Sequence, residues 1–287
     1  MPASSFRSVV AGFGAMSIAV FVAACSGPPI PHGTIDELFP APPQPVSQAY
    51  TLNGHRVHYL EEPGSSRARI LFIHGTPGEW RDWAKFMADP RLQAQATMIA
   101  VDRPGFGKSD PGKVVPGLVD QARLMEPLLR GKGAPTIVVG HSLGGPIAAR
   151  MAMDYPAEVR AALLIAPAID PATEQPRWYN VAMTWRIVQW FAPSVFDWSN
   201  REIMPLDGEL KAMLPLWKDL KMPVTVIQGE QDQLVDPRTA DFAQRMLPAD
   251  DRIIRVPGQG HFVLWEKPQI VVDALLDLLK RSAPPTT

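Results

Sequence analysis

Cysteine is nearly absent: Cys25 is the only one in 287 residues. No disulfide can form within the chain, and a cysteine-based metal site is excluded. Charge of one sign is not in excess either, because Lys+Arg 28 stand against Asp+Glu 29 for a net charge of −1. A chain so balanced has no general attraction to phosphate backbones or anionic headgroups, so nucleic acid is not expected as a partner. Repeats and low-complexity tracts are missing from residue 48 onward. What remains is ordinary globular composition, 46% hydrophobic and 20% charged, enough for one large core and far from the profile of disorder.

The one long apolar run lies at the N-terminus. Residues 1–8 carry Arg7 and no acid, and residues 9–24 are almost wholly apolar, a secretory h-region too short for a comfortable membrane span. The run ends Val22-Ala23-Ala24-Cys25, which resembles the bacterial lipobox. That resemblance implies removal of residues 1–24 as a signal peptide and lipidation of Cys25, with Ser26 matching the class sorted to the outer membrane. The expected location is therefore the cell envelope, with the protein tethered to the outer membrane and facing the periplasm. Residues 25–47 are rich in proline and read as an extended tether.

From residue 48 two short alternating runs flank Asn53-Gly54, the pattern of a β-hairpin. Short apolar runs then recur at 70–73, 98–101, 136–139, 162–165, 224–227 and 253–256, separated by helix-like stretches. Strands without polar alternation indicate a parallel sheet covered on both faces, so the fold class is doubly wound α/β. Chemistry in such sheets gathers at the carboxyl ends of the strands. One interval, residues 167–221, lacks a strand-like run and carries Trp178, Trp185, Trp190, Trp198 and Trp217 between Pro193, Pro205 and Pro215. It reads as an inserted lid of short helices, dividing the core into residues 48–166 and 222–287. Each of its aromatics, taken singly, is expected to pack inward.

The run at 136–139 leads directly into Gly140-His141-Ser142-Leu143-Gly144 and then a helical pattern opened by Pro146. A strand turning at once into a helix strains the backbone at the turn, and flanking glycines remove the side chains that would clash there. A Gly-x-Ser-x-Gly string alone arises by chance in roughly one chain in ten; the strand before it and the helix after it supply the context that makes Ser142 a candidate nucleophile. A serine hydroxyl needs a base in hydrogen-bond reach, and the base needs a fixed tautomer. Of the six histidines, His32 lies in the tether, His55 and His58 in the hairpin, and His141 beside the serine with its side chain expected to point away. His261, in a glycine-rich loop after the last strand, is the candidate base. Asp232, in the loop after the strand at 224–227, is the candidate orienting acid; Asp170, Glu230 and Asp236 compete with it. No metal or organic cofactor is implied.

Taken together, His74-Gly75-Thr76-Pro77-Gly78, Asp102-Arg103-Pro104-Gly105-Phe106-Gly107-Lys108-Ser109-Asp110, the Ser142 motif, Gly229-Glu230-Gln231-Asp232 and Gly260-His261-Phe262 resemble, in order, the motifs of α/β-hydrolases with a helical cap. The resemblance covers the chain from about residue 50 to its end. It implies an oxyanion hole formed by the backbone N–H groups of Thr76 and Leu143, with proline at 77 unable to donate. It also implies that His74 is a buried partner for loops near the site, and that residues 102–110 form a turn shaping the site from outside. Cap-bearing relatives that open epoxides or displace halide carry aspartate where Ser142 stands, and proline iminopeptidases usually carry tryptophan where Leu143 stands. The expected activity is hydrolysis of a carboxylic ester of a small or medium apolar substrate. Carbon–carbon, lactone or amide hydrolysis on the same triad, a ligand-sensing role for the fold, and a purely structural envelope lipoprotein are the alternatives.

Overall fold

A computed structural model describes residues 32–63, 68–131 and 136–282. The leader-like segment and Cys25 lie outside the described residues.

Eight strands form one sheet in the order β1-β2-β4-β3-β5-β6-β7-β8. The strands are β1 Val46–Leu52, β2 His55–Glu62, β3 Arg69–Ile73, β4 Thr97–Asp102, β5 Thr136–His141, β6 Val159–Ile165, β7 Val224–Gly229 and β8 Arg252–Val256. Strand β2 runs antiparallel to both its neighbours, and every pair from β4 to β8 is parallel. The hairpin closes where expected, with Asn53 and Gly54 both at positive φ (51° and 76°), the conformation that a two-residue turn between twisted strands requires.

The apolar runs of the inner strands are explained by their two covered faces. Leu71, Ile73, Ile99, Val101, Val138, Leu164 and Val226 point into one buried cluster. Their alternates Ile70, Phe72, Met98, Ala100, Ile137, Val139 and Leu163 point into the other. Helices Leu118–Met125 and Gly144–Asp154 close the first face, and helix Pro268–Arg281 closes the second.

Two expectations need correction. Residues 33–45 do not behave as an extended tether. Thr34 caps a helical turn, Ile35–Leu38, with a reciprocal bond to Glu37. Phe39 is buried in the core, and the Gly33 carbonyl accepts a 2.8 Å bond from Arg81 Nε. A proline-rich stretch offers few backbone donors but still carries apolar side chains, and one capped turn is enough to seat Phe39.

The second correction concerns the interval between β6 and β7. It is helical, but its helices are not all short: after Trp178–Ala182 and Arg186–Phe191 comes Ser194–Met213, a helix of 20 residues with Pro205 inside it. Proline in a helix interior costs about 3 kcal/mol. The helix persists because Ser199, Glu202, Leu206, Leu210 and Met213 recur at helical spacing and are all buried, a stripe long enough to offset one lost hydrogen bond. The aromatics of the interval do not all pack inward either. Trp217 is buried, but Trp178, Trp185 and Trp190 are exposed.

Candidate active site

Strand β5 ends in a turn where Ser142 sits at φ 52°, a left-handed conformation that costs a non-glycine residue about 1–2 kcal/mol. Three backbone bonds hold it there. Ser142 N–H donates to Ile165 O (2.9 Å), and Ser142 O accepts from Gly145 N (2.9 Å) and Ala168 N (3.2 Å). The glycines are a matter of space: a Cβ on Gly140 would lie 2.1 Å from Gly144 O, and one on Gly144 would lie 2.3 Å from Ile73 O. The turn is thus wedged between β3 and the helix Gly144–Asp154, and Ser142 is partly accessible while His141 and Leu143 are buried.

His261 and Asp232 arrive from the ends of β8 and β7. The Nδ1 of His261 is 2.8 Å from Asp232 Oδ2. The same carboxylate accepts from Gln228 Nε2 (3.1 Å) on Oδ2 and from the N–H groups of Leu234 and Val235 (2.9 Å each) on Oδ1. Acceptance of Nδ1–H by the carboxylate leaves Nε2 as the basic nitrogen of His261. Of the competing acids, Asp170 is taken up by Ala172 N–H and Asp236 by Arg238, and Glu230 is exposed.

The loop after β3 lies against the serine, since a Cβ on Gly75 would come 3.0 Å from Ser142 Cβ. Thr76 is next in that loop. Leu143 begins the helix Gly144–Asp154, where N–H groups at a helix start have no intrahelical acceptor. No hydrogen bond within the described residues takes up the N–H of Thr76 or of Leu143.

Beneath this loop lies a buried network, in which His74 is the buried loop partner that was expected and the extension through Arg103 to Gln121 and Glu202 is what sequence reasoning missed. His74 Nδ1 donates to Gly75 O (2.7 Å), and its Nε2 accepts from Arg103 N–H (2.9 Å). Burial and the Arg103 charge hold His74 well below the usual histidine range, so it is neutral. The Arg103 side chain has all five donors engaged: Nε to His74 O, one Nη to Gln121 Oε1 and Glu202 Oε1, the other to Gly75 O and Glu202 Oε2. Glu202 belongs to the long lid helix, and both side chains of this forked ion pair are fully buried. The lid is therefore latched through Arg103 to the two carbonyls that precede Thr76. Residues 102–110 do not merely shape the site from outside, because Arg103 reaches under it. The only signal in the sequence was an arginine inside a glycine-rich turn; its partner is 99 positions away.

His141 makes a contact the sequence did not suggest. Its ring is 4.8 Å from the His261 ring, and its Nε2–H donates to His261 O (3.1 Å). Burial first, and then the neighbouring His261, push its pKa down to about 3. It stays neutral and buttresses the base. Among the described residues, no group of three His, Cys, Asp or Glu is arranged to hold a metal ion, and no helix is long and apolar enough to cross a membrane.

With an elbow serine, a histidine–aspartate pair and a doubly covered parallel sheet in place, comparison with known proteins decides the family. The profile of the alpha/beta hydrolase family matches residues 70–274. The chain belongs to that family. Among curated relatives, this hydrolase-family chain is 36% identical over 117 residues to the dihydrolipoyllysine-residue acetyltransferase component of the acetoin cleaving system of Cupriavidus necator, a match covering 40% of this chain and 30% of that one. It is 26% identical to the 2-(acetamidomethylene)succinate hydrolase of Mesorhizobium japonicum, over 77% of this chain and 90% of the relative. Among solved structures, that of E-2-(acetamidomethylene)succinate hydrolase superposes with a TM-score of 0.61 at 23% identity, covering 82% of this chain and 99% of that one. At that identity the superposition supports the fold alone.

Proposed function

We propose that the protein is a serine hydrolase that cleaves a carboxylic ester of a small or medium apolar substrate through an acyl-enzyme. The observation that carries this reading is Ser142 held at φ 52° at the end of β5, in a molecule whose neighbouring strand ends bring His261 and Asp232 to 2.8 Å. The Ser142 hydroxyl attacks the ester carbonyl carbon while His261 Nε2 takes its proton. Asp232 holds the imidazole in the required tautomer and stabilises the imidazolium. The carbonyl oxygen, now an anion, accepts from the N–H groups of Thr76 and Leu143, each worth about 3 kcal/mol of transition-state stabilisation. Collapse expels the alcohol, which takes the proton back from His261. Water, deprotonated by His261, then attacks the acyl-enzyme and releases the acid.

Nothing in this sequence of steps requires a cofactor. The strained turn argues against a purely structural role, since strain of this kind is kept where it positions a reacting group. The named activity of the Mesorhizobium relative keeps a second bond type in view, so the decisive experiment offers the purified protein a panel of esters, lactones and amides alongside a fluorophosphonate probe. Turnover of short aryl esters and labelling at Ser142 are expected. Absence of both would falsify the serine-hydrolase reading, and turnover of amides alone would move it to the other bond. The proposal extends to location: lipid at Cys25 holds the enzyme to the envelope, and Cys25→Ser is expected to release it into the soluble fraction.

A further inference from the structure

Among the described residues, six large hydrophobic side chains are exposed, and five of them fall between residues 178 and 190: Trp178 (66%), Val181 (46%), Trp185 (59%), Ile187 (67%) and Trp190 (85%). The sixth, Val46, lies elsewhere. A contiguous exposed apolar patch on a folded domain marks an interaction surface. We propose that this patch, on helices Trp178–Ala182 and Arg186–Phe191, seats the protein on an anionic lipid surface.

Three observations select lipid as the occupant. First, the composition is interfacial: three tryptophans, whose rings carry a large apolar body and one polar N–H, are the side chains that concentrate at the headgroup boundary. Second, the apolar segment itself carries only basic charge: from Gln175 to Phe196 the chain contains Arg177 and Arg186, with the nearest acids, Glu174 and Asp197, at its two margins. Basic residues beside an apolar helical face are the arrangement that binds anionic headgroups.

Third, the chain enters the domain at this end. Gly33 is held by Arg81, and the adjacent Trp80 N–H bonds Asp102 at the carboxyl end of β4. That is the end of the sheet that carries Ser142. The patch is rooted at the same end: Arg177 Nη2 reaches Leu234 O (3.4 Å), and Leu234 N–H bonds Asp232. Cys25 is eight residues upstream of Gly33, so however those residues are arranged they span at most about 28 Å. A lipid on Cys25 therefore holds this end of the molecule within reach of the bilayer.

The test uses the full chain carrying Ser142→Ala, so that vesicle lipid is not turned over whatever the native activity. It is reconstituted with vesicles of phosphatidylcholine and phosphatidylglycerol whose acyl chains are brominated, and tryptophan emission is compared with that in unbrominated vesicles. Bromine quenches only rings inserted among the acyl chains. Quenching is expected, with loss of most of it in Trp178→Phe/Trp185→Phe/Trp190→Phe, since Trp80, Trp83, Trp217 and Trp265 are buried and Trp198 is half-buried against Phe106. Arg186→Glu is expected to weaken the quenching in phosphatidylglycerol vesicles and to leave it unchanged in pure phosphatidylcholine. These substitutions lie on exposed positions, and unchanged unfolding midpoints confirm an intact core. The proposal is overturned if bromination leaves emission unchanged, or if the triple variant is quenched as strongly as its parent. Emission that follows protein concentration and ignores lipid also overturns it, assigning the patch to contact between two copies of the chain.

Discussion

The molecule contains two buried histidine–aspartate pairs near the carboxyl ends of the parallel strands, each with a serine in its neighbourhood, and the proposed function assigns catalysis to only one of them. In the first, His261 Nδ1 meets Asp232 Oδ2 at 2.8 Å, with the His261 ring packed against His141, the residue before Ser142. In the second, His58 Nδ1 meets Asp102 Oδ2 at 2.8 Å, and His58 Nε2 meets Ser47 Oγ at 2.8 Å. The difference lies in the backbone. Ser47 is in the regular part of β1, paired with Leu60, while Ser142 stands at positive φ at the start of a helix. Asp102 also accepts from Trp80 N and Lys108 N (2.8 Å each), and Ser109 Oγ ties His58 N to Asp102 O. That second pair pins the hairpin, the turn after β4 and the segment after the loop that follows β3 to one another. Side-chain identity and distance alone do not single out a nucleophile; the proposed role of Ser142 rests on its strained turn and on the unengaged amide donors near it.

The comparison breaks most sharply at the serines. Ser142→Ala is expected to lower kcat by on the order of 10⁴- to 10⁶-fold and to abolish fluorophosphonate labelling, while Ser47→Ala leaves both intact; steady-state kinetics and mass spectrometry of the labelled protein check the pair. At the acids the contrast changes in kind. Asp232→Asn, which leaves His261 in the wrong tautomer, is expected to cost about 10⁴-fold in kcat with a retained fold. Asp102→Asn is expected to leave the folded enzyme active and to lower its stability by about 1–3 kcal/mol, read from urea denaturation. Equal losses of kcat in both variants would remove the distinction drawn here.

Between these two regions lies the latch. Glu202→Ala leaves the Arg103 charge buried without its partner, which is expected to cost about 3–5 kcal/mol of stability. Because Arg103 also holds the carbonyls of His74 and Gly75, kcat should fall more than KM rises, and a variant that loses stability with unchanged kcat would uncouple the Glu202 helix from the loop proposed to supply Thr76 N–H. The smallest expected effect is at the end of β2. Burial raises the Glu62 carboxyl from 4.5 to about 7, with Oε2 buried and unpaired. Between pH 4.5 and 7 the native state keeps a proton that the unfolded chain has lost, so the contribution of Glu62 to stability falls as pH rises through that window. Glu62→Gln removes this slope, and its advantage over wild type in urea midpoint should be greater at pH 7.5 than at pH 4.5.

Much of this arrangement was legible before folding. The apolar runs at 70–73, 98–101, 136–139, 162–165, 224–227 and 253–256 all lie within strands; in the first five, both faces are buried and no polar alternation is needed, while the last lies in the half-exposed edge strand β8. Asn53-Gly54 marked its hairpin through local conformational preference. The loops carrying Ser142, Asp232 and His261 stood out because each follows a strand and lacks another reason for its residue. What escaped were pairings between distant segments: Arg103 with Glu202, His141 with the carbonyl of His261, Phe39 with the core. Each depends on which faces meet, and a side chain carries no mark of that until the sheet is assembled.

The sequence by itself determined the doubly covered sheet, the elbow at Ser142 and the candidates for base and acid, since periodicity, glycine placement and turn chemistry act over a few residues. Only the tertiary structure decided that His58–Asp102 and His261–Asp232 share a geometry but not a setting, that the lid is latched through a buried ion pair, and that Trp178, Trp185 and Trp190 face outward. Those outcomes follow from burial and long-range hydrogen bonding, which depend on the whole chain closing on itself.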